Sequence, residues 1–178
     1  MNKYLVVLLV LFSVSASAVI VERPSQKYPN QAIKSYSWLT DYKKASFSVS
    51  VNDDAKKFID EDSLRRYFKL KMRNFVKDIE LLEDPKGVDH NYLYLKLELF
   101  KYNDKTGIHY GLISLKLDSS IEFNGSDERI YELTTSIAGS ESQLISFIKQ
   151  EIDRMIEIYA EDYYYLDDLS NKHNKRVN

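Results

Sequence analysis

Three histidines, a scatter of serines and a cluster of carboxylates are the residues here whose types could support catalysis, and their spacing argues against it. His90, His109 and His173 lie far apart. None sits at i and i+4 with a second ligand on one helix, the kind of spacing a zinc site wants. They read as surface or edge histidines. Ser46, Ser48 and Ser50 alternate along one short stretch, as solvent-facing strand residues do, and no G-x-S-x-G elbow is present. A converging Ser, His and carboxylate therefore has no support. Asp53, Asp54, Asp60, Glu61 and Asp62 could be searched for paired acid–base carboxylates, but a turn followed by a helix start explains them. The expectation is a chain that is not an enzyme, with no catalytic residue, no metal and no cofactor.

Two other patterns suggest binding. At 100° per residue, Arg65, Arg66, Lys69, Arg73 and Lys77 cluster on one flank of an expected helix, away from its apolar stripe. Such a stripe could meet an anionic lipid headgroup, a glycan phosphate or an acidic protein. The alternative is a solvated flank partly paired with Glu151, Asp153, Glu157, Glu161 and Asp162 of a second helix, each exposed pair worth about 0–1 kcal/mol. The second pattern is Tyr163-Tyr164-Tyr165. Three successive helical residues cannot all face inward, so Tyr164 or Tyr165 should be partly exposed, as interface aromatics are, or should pack on the segment around Trp38.

The elements that position these residues are legible from periodicity. Phe47, Val49 and Val51 alternate with serines, which marks a half-buried strand. Asn52-Asp53-Asp54 reads as a turn. Asp60 then caps a helix with acids in its first turn. Leu64, Phe68, Met72, Phe75, Ile79 and Leu82 form its apolar stripe, and Asp84-Pro85 with Gly87 stops it. Leu93, Leu95, Leu97 and Leu99 share one face of a strand. Asn103 to Gly107 is a hairpin loop. Ile108 to Phe123 is a long strand, and Asn124-Gly125 is a second hairpin signal. Tyr131, Leu133 and Ile137 mark the return strand. Ser140 to Gln143 fits a capping box ahead of a long helix with Leu144, Ile148, Ile152, Met155, Tyr159, Tyr163 and Leu166 inward.

The expected fold class is α+β: a two-layer sandwich in the order β-α-β-β-β-α, with a four-stranded, largely antiparallel sheet and two helices on one face. Residues 1–18 read as a cleavable signal peptide, 19–44 as an irregular lead segment, 45–169 as a single domain and 170–178 as a polar, frayed tail. In MNKYLVVLLVLFSVSASA, Lys3 precedes an apolar run of about 11 residues, too short to span a bilayer. Ala16-Ser17-Ala18 follows with small residues. Cleavage near Ala18 would place the protein in the periplasm or outside the cell, without a transmembrane span.

Composition narrows the partners. The 178 residues carry 25 Lys+Arg and 27 Asp+Glu, for a net charge of −2, which argues against a general nucleic-acid binder. There are no cysteines, so disulfides, thiol catalysis and thiolate metal sites are excluded. With 5 glycines in the chain, phosphate-cradling loops are disfavoured.

The element order behind an export signal resembles small bacterial envelope domains. These are the lipopolysaccharide-assembly lipoprotein of the outer membrane, the periplasmic part of the curli-secretion lipoprotein and the N-terminal domain of the Tol-system propeller protein. Lys34-Ser35-Tyr36-Ser37-Trp38-Leu39 is also similar to the T-Y-x-W opening of an uncharacterised exported lipoprotein family. The resemblance in element order spans roughly residues 45–169 and implies a scaffold or binding module with no catalytic residue to carry over. Many such proteins are anchored through a lipidated cysteine, which this chain lacks. The expected role is a non-enzymatic interaction or assembly module with an envelope protein as partner. The alternative is a lipid or small-ligand carrier with an apolar pocket between helices and sheet. Intact-mass analysis of the product recovered from a periplasmic extract should show a chain starting at Val19; retention of Met1 would sink the export reading.

Overall fold

The structure, a computed structural model, describes residues 23–82, 90–102, 106–119 and 130–177. The expected signal peptide, the Asp84-Pro85 stop with Gly87, residues 103–105 of the first hairpin loop and the Asn124-Gly125 hairpin lie outside them.

Two short helices open the described chain, α1 (Pro29–Tyr36) and α2 (Trp38–Asp41). They replace the irregular lead expected over residues 19–44. Pro29 starts α1 rather than breaking it, because the first helical position needs no N–H donor and favours a proline φ. Trp38 and Leu39 are buried, and the indole N–H donates to the Ser35 carbonyl at 3.1 Å.

Strand β1 (Lys44–Val51) follows, then a helical turn α3 (Asp53–Lys56) where a plain turn was expected, then α4 (Glu61–Phe75). The Asp60 carboxylate accepts the Ser63 N–H at 2.8 Å, the expected cap. Helix α4 ends at Phe75, about two turns earlier than its stripe suggested. Ile79 is buried from the turn beyond it, and Leu82 lies in a further strand, β2 (Glu80–Leu82). The Glu80 N–H donates to the Lys43 carbonyl at 2.8 Å. Pairing with the open side of β1 thus overrides the continuing helical period.

Strands β3 (Asn91–Lys101), β4 (Ile108–Ser119) and β5 (Ile130–Ser140) complete the sheet. It has five strands in the order β2-β1-β3-β4-β5, not four. Strand β1 runs parallel to both β2 and β3, while β3–β4 and β4–β5 are antiparallel, so the sheet is mixed. Gly107 precedes β4 at φ 59°, a backbone region that suits glycine. Helix α5 (Glu141–Val177) follows β5 with no intervening loop residue. The Ser140 hydroxyl donates to the Gln143 side-chain carbonyl at 2.9 Å, a side-chain version of the expected capping pair. The helix continues through Val177, past the point after Leu169 where fraying was expected.

Odd-numbered strand residues point inward: Val49, Val51, Leu93, Leu95, Leu97, Leu99, Ile113, Leu115, Leu117, Leu133 and Ile137 are all buried. Helices α4 and α5 cover this face. Phe68 of α4 meets Phe47 of β1 with ring centres 5.9 Å apart, and Tyr159 of α5 meets Tyr131 of β5 at 5.7 Å. All seven stripe residues named for the long helix are buried.

Asn52 joins the layers. Strand β1 stops at Val51, while β3 continues. The Asn52 side chain takes the place of the next peptide: its amide donates to the Leu99 carbonyl at 2.8 Å and its oxygen accepts the Leu99 N–H at 3.0 Å. The same oxygen accepts the Ala55 N–H at 3.1 Å and caps α3. Asn52→Ala should lower unfolding free energy by about 1–3 kcal/mol, since it leaves strand groups unpaired. A urea titration showing less than about 0.3 kcal/mol of loss would contradict this role.

Candidate functional site

Four residues of the predicted basic stripe, Arg65, Arg66, Lys69 and Arg73, lie on α4, and the fifth, Lys77, does not. Arg65 is half-buried, pairs with Glu61 at 3.5 Å and holds its guanidinium 5.9 Å from the Phe47 ring centre. Arg66 donates to the Ser63 hydroxyl at 3.0 Å. Lys69 is half-buried and Arg73 exposed on α4, while Lys77 lies beyond the helix end. The Lys77 N–H donates to the Tyr164 hydroxyl at 3.0 Å. A cross-helix tie does exist, but it uses Lys71, which meets Asp153 at 2.7 Å beside the Tyr67 hydroxyl, itself 2.7 Å from the same carboxylate. Burial first, and the hydrogen bond to Asp153 second, push the Tyr67 hydroxyl above its ordinary pKa.

The tyrosine run divides as helical geometry requires. Tyr163 is buried, and Tyr164 and Tyr165 are half-buried against the core. Tyr165 donates to the Ser25 carbonyl at 3.3 Å, so it packs on the lead segment. Lys43 reaches both the Tyr163 hydroxyl and Asp167 at 2.8 Å. Burial disfavours the Lys43 ammonium, yet those two bonds outweigh it and raise the pKa.

Asp162 was grouped with the outward acids, and the structure places it inside. It accepts from the Tyr131 hydroxyl at 2.7 Å and from two Arg23 nitrogens, at 3.1 and 2.7 Å. Its side chain is 5% exposed, against 39% for Arg23. The signal was present: Asp162 is three residues from Tyr159, about 60° from it on the helical wheel and within the apolar arc. Burial and then the neighbouring carboxylate raise the Tyr131 pKa, while the bond to Asp162 raises that of Arg23. The histidines are also more enclosed than expected. His90 and His109 are buried, and His109 stands edge-on to Phe58 at 4.7 Å. Among the described residues no group of His, Asp and Glu could hold a metal ion.

Among the described residues, no helix lies over the other sheet face. Six of the ten large apolar side chains exposed among the described residues lie there: Tyr92, Tyr94, Phe100, Tyr110, Leu112 and Ile130. Register assembles them into two ends with a polar middle. At one end Phe100 stands opposite Tyr110, with ring centres 5.8 Å apart. At the other, Tyr92 and Tyr94 are nearly parallel, 6.5 Å between centres. Between them run Ser50, Lys96, Ser114 and Thr134, one rung across β1, β3, β4 and β5. The lysines there are already paired, Lys96 with Glu98 at 3.0 Å and Lys116 with Asp118 at 3.2 Å. Burial, then the Asp118 and Tyr92 charges, raise the Tyr94 pKa and keep it neutral. The face is therefore aromatic, rich in hydroxyls and nearly charge-neutral. Sequence parity had placed Ser46, Ser48, Ser50, Tyr94, Lys96 and Glu98 on it; the Phe100–Tyr110 pair emerges only when β3 and β4 are set in register.

A surface groove of about 320 Å3 lies elsewhere, lined by Phe58, Ile59, Tyr67 and Ile145 with Asp60 and Lys149. No strand residue lines it, so it is not the pocket between helices and sheet that a carrier reading expects.

No protein-family model and no curated protein sequence matches the chain. Solved structures are similar in arrangement. A PelC dodecamer from Paraburkholderia phytofirmans shares 12% identity at TM-score 0.44, covering 66% of this chain and 85% of that one. A neuraminyllactose-binding hemagglutinin homolog from Helicobacter pylori shares 12% at TM-score 0.42, covering 77% and 88%. A minor lipoprotein from Acinetobacter baumannii shares 14% at TM-score 0.38, covering 74% and 93%. At this level the likeness transfers no function, and the functional reading rests on this chain's own residues.

The Arg23–Asp162 pair carries a testable consequence. Removing Arg23 leaves a buried carboxylate held by Tyr131 alone; because Arg23 is partly solvated, Arg23→Ala should cost about 1–3 kcal/mol rather than the larger cost of breaking a fully buried pair. A double-mutant cycle with Asp162→Asn should show coupling of the two sites. Additive losses would mean that the contact does not tie the lead segment to α5.

Proposed function

We propose that this chain is a non-enzymatic binding module of the bacterial envelope that engages a protein partner through the open face of its sheet. The observation that carries this is the concentration of exposed aromatic and aliphatic side chains on the sheet face that the described helices leave bare. Contiguous apolar patches on a folded domain mark interaction sites. Aromatic enrichment with few free charges is the composition of an interface core. The ion pairs within the face disfavour an anionic lipid or a glycan phosphate as its occupant, since those need unpaired cations. The envelope setting is supported by the export-like start of the sequence, and no described helix is long and apolar enough to cross a membrane. The carrier reading is disfavoured by the packed layer between helices and sheet, where Leu64, Phe68, Met72, Leu95, Leu115 and Ile152 are almost fully buried.

A photo-crosslinking residue at Tyr94 or Tyr110 should form one discrete, saturable adduct in living cells, and the same residue at Arg66 or Arg73 should not. Combined Phe100→Ser and Leu112→Ser should reduce the Tyr94 adduct by about tenfold or more while leaving the circular dichroism spectrum unchanged. Adducts formed only from the helix positions would transfer the binding role to the basic residues and overturn the reading.

A further inference from the structure

The two edges of the sheet are protected very differently. Strand β2 is three residues long, which leaves little for another chain to pair with. Strand β5 is the opposite edge and is eleven residues long, reading IYELTTSIAGS. Exposed edges are usually blunted by lysine, proline, a bulge or a cover. Strand β5 has no lysine, arginine or proline, and it pairs with β4 continuously from Ile130 to Ser140 without a bulge. No described strand pairs with its outer side.

We infer that the outer edge of β5 is a self-association site, which joins two copies of this chain antiparallel, β5 to β5, into one ten-stranded sheet. The commitment to a second copy comes from the residues the symmetry would bring together. A two-fold axis through Thr135 overlaps the strands over their full length. It sets Leu133 opposite Ile137 and Tyr131 opposite Gly139 on the helix-covered face, and Thr134 opposite Ser136 on the open face. Each large side chain meets an aliphatic or a small one, and hydroxyls meet hydroxyls, which are favourable cross-strand pairs. Glu132, the one charged residue of the strand, meets Ala138 and not its own copy, so no like charges oppose. An isologous contact of this kind closes at two copies and does not propagate into fibres. Both open faces would lie on the same side, which doubles the aromatic surface. The inference stands independently of what that surface binds.

The product recovered from the periplasm should show a concentration-dependent monomer–dimer equilibrium by analytical ultracentrifugation. Substitutions on the open face test the register, at exposed Ser136 and Ala138 and half-buried Thr134. A138K puts a lysine opposite Glu132 of the second copy and should strengthen the dimer, and A138E should weaken it. T134K with S136K opposes lysines near the axis and should weaken association by about tenfold or more. T134E with S136K differs only in the sign of one charge, sets opposite charges across the axis, and should restore it. Circular dichroism confirms that each variant is folded. A monomer at every concentration up to about 100 µM, where a specific dimer is populated, would overturn the proposal. So would a dimer equally stable in all four variants.

Discussion

One-sided burial governs this molecule. The strands alternate apolar and polar residues, so one face of the sheet must leave water and the other must stay in it. Both long helices carry a single apolar stripe and serve the same dry face. Chain connectivity reinforces this. Helix α5 begins at the residue after β5, with no loop in which to cross to the other side. The bare face, with its aromatic ends and paired lysines, is what remains once that packing is satisfied.

Polar ties hold the margins of the two layers. Asn52 substitutes for a missing peptide where β1 ends before β3, and so lets the chain leave the sheet without orphaning the Leu99 backbone groups. At the opposite end, Asp162 draws Arg23 and the Tyr131 hydroxyl to one buried carboxylate. Helix α5, at 37 residues about 55 Å long, covers the sheet with its first half. Its second half receives α1, α2 and the lead residues. Residues 23–43, the described stretch before β1, are therefore part of the packed body.

The contrast between the surfaces organises the functional reading. The helix side carries cations that are spread out, partly paired and interrupted where α4 stops. The sheet side carries rings whose charges nearby are neutralised. The first resembles a solvated flank, and the second has the make-up of a contact surface. The β5 edge adds a third kind of recognition, through backbone groups instead of side chains.

Local patterns were enough to determine the α+β class, four of the five strands, the Asp60 cap, the inward stripe of α5 and which strand residues face water. Each depends on a period of 2 or 3.6 that a single segment displays by itself. Other features were decided only by tertiary contacts. Strand β2 continued the helical spacing of α4 but was captured by the open side of β1. The lead segment read as irregular, yet helices start there at Pro29 and Trp38 and pack on α5. Asp162 looked like one more surface acid until Arg23, more than a hundred residues away, arrived beside it. Tyr92, Tyr94 and Phe100 share the outward parity of β3, which the sequence displays by itself, but only register sets Tyr110 of β4 against Phe100, because a contact between two strands has no linear signature.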